Sequence, residues 1–250
     1  MRQNKTTTIT DWHCHILPGI DDGAKTLDDA IAIASILVDN GFSEVYCTPH
    51  CMKGVFENTP EIVRQAVIAL QAELDKVEIP LKLHVGMEYF LDEFFPQQLN
   101  NPLTLGNTNY LLVEAPIRAD PKRIKDFLFT IRRRGCTPLL AHPERYEFLA
   151  PAAPPQSFFR RFKRRRKEEH QIERLDLVQE LLGMGCFFQG NLGSFSGIYG
   201  TDVKIQAESF YRAGAYTCFG SDAHNPTRLP RILEQGLLAT ADCHASTLKG

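Results

Sequence analysis

Short apolar runs alternate with longer amphipathic segments along most of the chain. The runs at 9–12, 44–48, 81–86, 110–113, 137–141, 186–189 and 216–220 read as buried strands. Helical segments fall between most of them, and several have legible ends. Thr26-Leu-Asp-Asp starts one helix with Thr26 as N-cap, and Gly41 ends it. Thr59-Pro60-Glu61 starts a second, with proline at the first helical position, where no N–H is required. Asp120-Pro121 starts a third that ends near Gly135, and two more are expected at 175–185 and 203–214. Alternating β and α units imply a parallel sheet, because parallel neighbours need a crossover connection. Seven strands in so short a chain favour a closed or nearly closed barrel over an open doubly wound sheet.

One region breaks the rhythm. Residues 150–156, APAAPPQ, are too rich in Pro and Ala for regular structure. They lead into Phe158-Phe-Arg-Arg-Phe-Lys-Arg-Arg-Arg-Lys167. This reads as a basic insert at about 150–170, a loop or short amphipathic helix inside one domain spanning 1–250. No internal repeat is visible.

Composition adds mainly exclusions. With 43% hydrophobic and 23% charged residues the chain has ample material for a core, and a net charge of −2 gives no global pull toward nucleic acid or membrane. Residues 1–10 are polar, with no leader-type apolar stretch, and no segment approaches the length of a membrane span. The seven cysteines are odd in number and scattered, which points to reduced thiols in the cytoplasm.

The informative feature is where the polar residues fall. The first strand runs into Asp11-Trp-His13-Cys-His15, and a short loop then supplies Asp22. The next strands lead to His50, Glu88, Glu114, His142, Gln189-Gly-Asn191, and Asp222-Ala-His224. In a parallel α/β fold all strand C-termini lie on one face, so these residues converge on one rim. His13 and His15 are two apart, which on a strand aims both imidazoles the same way. The donors are imidazole and carboxylate, which suit Mn²⁺, Fe²⁺ or Zn²⁺ better than a structural Cys₄ zinc. They are too many for one ion, so two or three are expected, with a shared carboxylate bridging.

Other readings are weaker. A lone His-x-His says little, and a lone Glu88 or Glu114 is more often an ion-pair partner; the convergence is what carries the assignment. Cys47 and Cys51 flank His50, but no second cysteine pair accompanies them. No cysteine has an arginine six positions on, which disfavours a cysteine-nucleophile phosphatase, and no Walker-type loop is present. His84, His170 and His244 sit outside the pattern.

These motifs resemble the PHP superfamily (polymerase and histidinol phosphatase), and within it the bacterial protein-tyrosine phosphatases of capsule and exopolysaccharide systems, the CpsB/YwqE type. The resemblance rests on Asp11-Trp-His-Cys-His-Ile-Leu-Pro-Gly-Ile-Asp-Asp-Gly23, Thr48-Pro-His50, Gly86-Met-Glu88, Ala141-His-Pro-Glu-Arg145, Gln189-Gly-Asn191 with Gly193-Ser194, and Ser221-Asp-Ala-His-Asn225. It implies a distorted (β/α)₇ barrel of PHP type and a trinuclear site, with Mn²⁺ favoured. By position His13, His15, Glu88 and Asp222 would hold the first ion, Glu88, Glu114 and His142 the second, and Asp22, His50 and His224 the third. Phosphate-binding arginines would correspond to Arg145 and Arg228, although His224-Asn-Pro-Thr-Arg228 is one residue shorter than the usual spacing. The nucleophile would be a hydroxide bridging two ions.

The implied function is metal-dependent hydrolysis of phosphotyrosine on a tyrosine kinase that regulates capsular or exopolysaccharide synthesis. Alternatives are a small-molecule phosphatase of the histidinol-phosphate kind, a PHP nuclease, or a binding module, though a module would be expected to have lost donors that are all kept here. The basic stretch 158–167 reads either as a solvated loop or as a contact to an anionic surface, which would place a cytoplasmic protein at the inner face of the membrane. No nucleic-acid partner is expected.

Overall fold

The computed structural model describes residues 9–150 and 177–241. The Pro-rich and basic stretches, His170 and His244 lie outside them. Strands β1 (Ile9–Cys14), β2 (Phe42–Cys47), β3 (His50–Cys51), β4 (Lys82–Val85), β5 (Glu88–Phe90), β6 (Tyr110–Glu114), β7 (Thr137–Ala141), β8 (Phe187–Asn191) and β9 (Cys218–Gly220) pair in parallel throughout. They form two sheets, ordered β1-β2-β4 and β3-β5-β6-β7-β8-β9. The helices are α1 (Leu27–Asp39), α2 (Pro60–Lys76), α3 (Phe95–Gln98), α4 (Pro121–Arg133), α5 (177–183), α6 (Leu192–Ser196), α7 (Thr201–Arg212) and α8 (Leu229–Ala239), with a 3₁₀ turn at Pro143–Arg145.

Two predicted strands, 44–48 and 81–86, are each followed after a break by a short continuation. Pro49 has no N–H to give a ladder, and Gly86 sits so close to its surroundings that a Cβ there would lie 2.7 Å from Leu105 Cδ2. The register nevertheless carries straight through both breaks: Cys47 pairs with Val85 and, three residues on, His50 pairs with Glu88. β2/β3 and β4/β5 are therefore single kinked staves. At the far edge Cys14 bridges Ala223, His15 N donates to Ala223 O at 3.1 Å, and Asp222 N donates to His13 O at 2.7 Å. Seven staves thus close on themselves, as a distorted (β/α)₇ barrel.

The helix starts follow the sequence signals. Thr26 and Asp29 exchange hydrogen bonds in a capping box, and Thr59 and Asp120 cap α2 and α4. Some boundaries differ. β8 begins and ends later than the 186–189 run, and β9 starts only at Cys218. α7 starts and ends two residues earlier than 203–214. α6 is a short helix that the sequence pattern did not mark, because Asn191 ends β8 and at once caps α6 by accepting from Gly193 N at 2.7 Å.

Along the staves the inner face changes character with height. Toward the strand N-termini it is apolar: Tyr46, Leu105, Leu112, Leu139, Ala141 and Cys218 form one buried cluster, with Trp12, Tyr110 and Phe187 against it. Two or four residues further on, at the same strand parity, stand His50, Glu88, Glu114 and Gln189. The larger core, including Leu111, Val113, Leu140 and Phe188, packs between the strands' outer faces and the helices.

Candidate metal centre

Each predicted donor is delivered by the C-terminal end of a stave or the loop just past it. His13 is on β1 with His15 beyond it, His50 on β3, Glu88 on β5, and Glu114 at the end of β6. Among the described residues only three non-glycines have positive φ: Glu78, His142 (34°) and Asp222 (52°). Two of these are predicted ligands. Asp222 and His224 lie past the end of β9, so they do not converge by strand alternation as His13 and His15 do; the left-handed residue turns the chain instead. Left-handed non-glycine backbone is strained and persists where the surroundings impose it, commonly at functional sites.

The structure brings all of these side chains together. Glu88 is at the centre. Its Oε2 is 3.3 Å from His13 Nε2, 3.4 Å from His15 Nε2 and 3.1 Å from His50 Nδ1, while its Oε1 is 3.1 Å from His142 Nε2. Asp222 Oδ1 lies 3.4 Å from the Nε2 atoms of both His13 and His15. Glu114 Oε1 is 3.7 Å from His142 Nε2. At the outer lip Asp22 Oδ1 is 3.5 Å from His50 Nε2 and 3.4 Å from His224 Nε2. Three overlapping donor groups result: His13, His15 and Glu88; His50, Glu88 and Glu114; and His15, Asp22, His50 and His224. The division differs from the resemblance-based one in that His15 and His50 each belong to two groups, while His142 and Asp222 border the groups without belonging to one. None of these groups contains a cysteine. Cys51 Sγ points to Asn58 O, and His84 pairs with Glu44 and stacks on Tyr46, both away from the cluster.

A layer behind the donors sets their tautomers. His15 Nδ1 is 2.7 Å from Asp21 Oδ2, and His13 Nδ1 is 2.8 Å from Gln189 Oε1. The Gln189 amide is oriented by its own Nε2, which donates to Gly190 O. Each neutral ring therefore carries its proton on Nδ1 and presents a bare lone pair at Nε2. Those two Nε2 atoms are 3.0 Å apart. Two lone pairs that close repel unless a proton or cation lies between them and the carboxylates. Glu88 Oε2 is buried and accepts no hydrogen bond, which is costly for a carboxylate oxygen unless a cation satisfies it. Separations of 3.0–3.4 Å among these atoms match the edges of a coordination shell whose bonds are about 2.0–2.2 Å long. The donor set fits divalent cations.

The electrostatics agree. Burial disfavours charge on His13, yet the Glu88 and Asp222 carboxylates outweigh it and raise its pKa to about 9. His15 is raised against the same burial penalty by Asp21, Asp222 and Glu88. Burial and the Arg145 charge lower His142 to about 4, leaving a neutral imidazole. Burial and Glu88 push Glu114 up to about 7. The carboxylates that raise these imidazoles draw positive charge, proton or cation, to the cluster.

Above the donors opens a cleft of about 390 Å³ lined by most of them together with Arg145, Arg228, Ile198, Tyr199, Asn225 and Ile232. His13 and His15 lie fully buried beneath it. Arg228, at the start of α8, reaches the mouth despite its shortened spacing, and its side chain is exposed. Asp11, Gln189 and Asn191 stood among the strand-end polar residues of the sequence without a role of their own, and Asp21 and Tyr199 were not singled out. Asp11 and Asp21 fall inside the first motif, where their acidity was a signal. Gln189 and Asn191 end a stave as the donors do. Tyr199 gave none.

Residues 9–154 match the family model for capsular polysaccharide synthesis, CpsB/CapC. Tyrosine-protein phosphatase YwqE of Bacillus subtilis is 31% identical over 219 residues, covering 87% of this chain and 78% of YwqE. The chain belongs to the CpsB/CapC family. This CpsB/CapC member is also 27% identical to tyrosine-protein phosphatase CpsB of Streptococcus pneumoniae over 91% of its length and 87% of the relative's. Among solved structures, a chain from the crystal structures of Bacillus subtilis YwqE and Streptococcus pneumoniae CpsB, described as metal-dependent tyrosine phosphatases, superposes with a TM-score of 0.77 at 30% identity, covering 96% of this chain and 89% of its own. A histidinol phosphate phosphatase from Lactococcus lactis shares the fold at a TM-score of 0.53 and 14% identity, covering 94% of this chain and 93% of its own.

Proposed function

We propose that this chain is a metal-dependent protein-tyrosine phosphatase that removes phosphate from a tyrosine kinase of capsular or exopolysaccharide synthesis. The observation that carries the reading is the set of three overlapping donor groups, two sharing Glu88 and the third joined to them through His15 and His50, at the floor of a cleft flanked by arginine. The ligands are His13, His15, Asp22, His50, Glu88, Glu114, His142, Asp222 and His224, holding two or three ions, with Mn²⁺ preferred. Bound cations supply a nucleophile by lowering the pKa of a water from 15.7 to about 7. Arg145, aided by Arg228, binds phosphoryl oxygens as charge spreads in the transition state. A phenolate leaving group, with a pKa near 10, needs little protonation, so a site with cations and arginines and no dedicated acid suffices.

Asp21 and Gln189 hold His15 and His13 as lone-pair donors. His142 remains neutral well below physiological pH. A histidinol-phosphate-type activity would use the same floor, so the substrate is decided at the rim. The family likeness favours the protein-tyrosine substrate. The basic stretch 158–167, outside the described residues, would bring the enzyme to an anionic membrane surface. Among the described residues no helix is long and apolar enough to cross a membrane.

The test is a substrate panel on metal-stripped and metal-reconstituted protein. Hydrolysis of a phosphotyrosine peptide, lost on chelation and restored best by Mn²⁺, is expected, with histidinol phosphate and single-stranded DNA poor substrates. Full turnover after exhaustive metal removal, or preference for histidinol phosphate, contradicts the reading.

A further inference from the structure

Arg145 is held by more than its ion pair. Its Nη1 donates to Asp222 Oδ2 at 3.1 Å, and its Cζ lies 4.5 Å from the centre of the Tyr199 ring. Tyr199 sits in the tight turn between α6 and α7, bracketed by Gly197 and Gly200 at φ of 76° and 98°. Both glycines take left-handed or open backbone that side chains disfavour, and Gly200 N closes the turn on Gly197 O. The ring has a backstop as well. A Cβ at Gly193 would lie 3.1 Å from Tyr199 Cε2, so a residue without a side chain lets the ring settle there.

The hydroxyl completes a closed circuit. Asn191 Nδ2 donates to Tyr199 Oη at 3.5 Å and to Asp222 Oδ2 at 2.7 Å. Asn191 N is itself fixed by the buried Glu144 carboxylate, one residue before Arg145. Arg145, Asp222, Asn191 and Tyr199 therefore form one loop of contacts. A guanidinium anchored by a single hydrogen bond can swing about it. A ring lying against its face removes that freedom, and a planar fork recognises two oxygens only when its plane is set.

We propose that Tyr199 is the positioning residue for the phosphate-binding arginine: its ring fixes the plane of the Arg145 guanidinium so that the N–H groups not used by Asp222 face the cleft. The inference deepens the phosphatase reading, and its kinetic arm rests on that reading. Tyr199 acts through Arg145 and not on the reacting atoms.

The experiment compares Tyr199→Phe and Tyr199→Leu with the parent, each also in an Arg145→Ala background, as Mn²⁺-loaded protein. Tyr199→Leu is expected to lower kcat/KM for a phosphotyrosine peptide, and to weaken inhibition by inorganic phosphate, by about ten-fold each. Tyr199→Phe keeps the ring and stays within about two-fold. With Arg145 already removed, Tyr199→Leu adds less than about two-fold, since residues acting through one group are not additive. Additive losses, or equal losses from Phe and Leu, overturn the proposal. A second arm needs no turnover. The Arg145 Nε–H resonance of metal-free protein is expected to be sharp in the parent and Tyr199→Phe and broadened in Tyr199→Leu; an unchanged resonance in Tyr199→Leu overturns the proposal. If the parent fails to hydrolyse phosphotyrosine, the functional reading falls while this arm still decides the positioning role. Should Tyr199→Leu lose its fold or its metal, Tyr199→Met, which keeps an apolar side chain without an aromatic face, takes its place with the same expectations.

Discussion

The two ends of the barrel interior use the same strands for opposite purposes. At the lower end His84 stacks on Tyr46, which stacks in turn on Trp12, above Leu112 and Leu139. At the upper end, four residues along the same stave from His84, Glu88 gathers four imidazoles. His84 has one carboxylate, Glu44, at 3.1 Å, and among the described residues no backing acceptor fixes its other nitrogen. His13 and His15 have a backing oxygen on Nδ1 and two carboxylates in front of Nε2. Residue type does not make a ligand; height in the barrel and the layer behind the ring do. The lower end contributes cohesion and the upper end gives some of it up, with bare lone pairs, strained residues and an unsatisfied carboxylate oxygen.

This contrast breaks first at Glu88. Glu88→Gln removes the carboxylate common to two donor groups and is expected to cost at least about 10²–10³-fold in kcat together with bound metal. Metal quantification beside steady-state kinetics checks it; full metal content and parental kcat would erase the distinction between the two ends. Leu112→Ala strikes the other end. It should destabilise the fold by about 2–5 kcal/mol in denaturant titration while metal affinity is retained, and lost affinity with intact stability would reverse the roles assigned. Asp21→Asn keeps every donor side chain and weakens the layer behind them, at His15 Nδ1 and at the backbone N–H of His50. Metal affinity or activity should drop about 10–100-fold, measured by competition with a chromogenic chelator.

Proton linkage sharpens the comparison further. His13, raised to about 9 by Glu88 and Asp222 despite burial, holds a proton in the metal-free protein below that pH. Cation binding must displace it. Metal affinity should therefore climb as pH rises through neutrality, the more so because His15 is raised by its carboxylates as well, and binding should release protons at neutral pH. Calorimetry in buffers of different ionisation enthalpy reads this directly, and a pH-independent affinity contradicts it. The smallest effect is expected at the lower histidine: His84→Gln should shift stability by no more than about 1 kcal/mol and leave metal content and turnover unchanged.

Much of this was legible before folding was considered. The strand and helix alternation, the caps at Thr26, Thr59 and Asp120, and the donors at the strand ends are local patterns, and local patterns survive in one dimension. The continuations β3 and β5 past Pro49 and Gly86 were less visible, because the apolar runs end at the breaks and only two or three residues of strand lie beyond them. The α6 helix was hidden because Asn191 serves as strand end and cap together. Tyr199 was invisible, since a tyrosine between two glycines reads as loop until the arginine it supports is placed beside it.

The amino-acid sequence by itself determined that this is a parallel α/β chain with imidazoles and carboxylates at its strand termini, because strand periodicity and parallel topology oblige those termini to share one side. Only the tertiary structure decided which nitrogen faces which oxygen. Closing β9 against β1, turning His142 and Asp222 into left-handed backbone and seating Asp21 and Gln189 behind the rings are contacts between residues up to two hundred positions apart. Their geometry follows from packing, and no local preference encodes it.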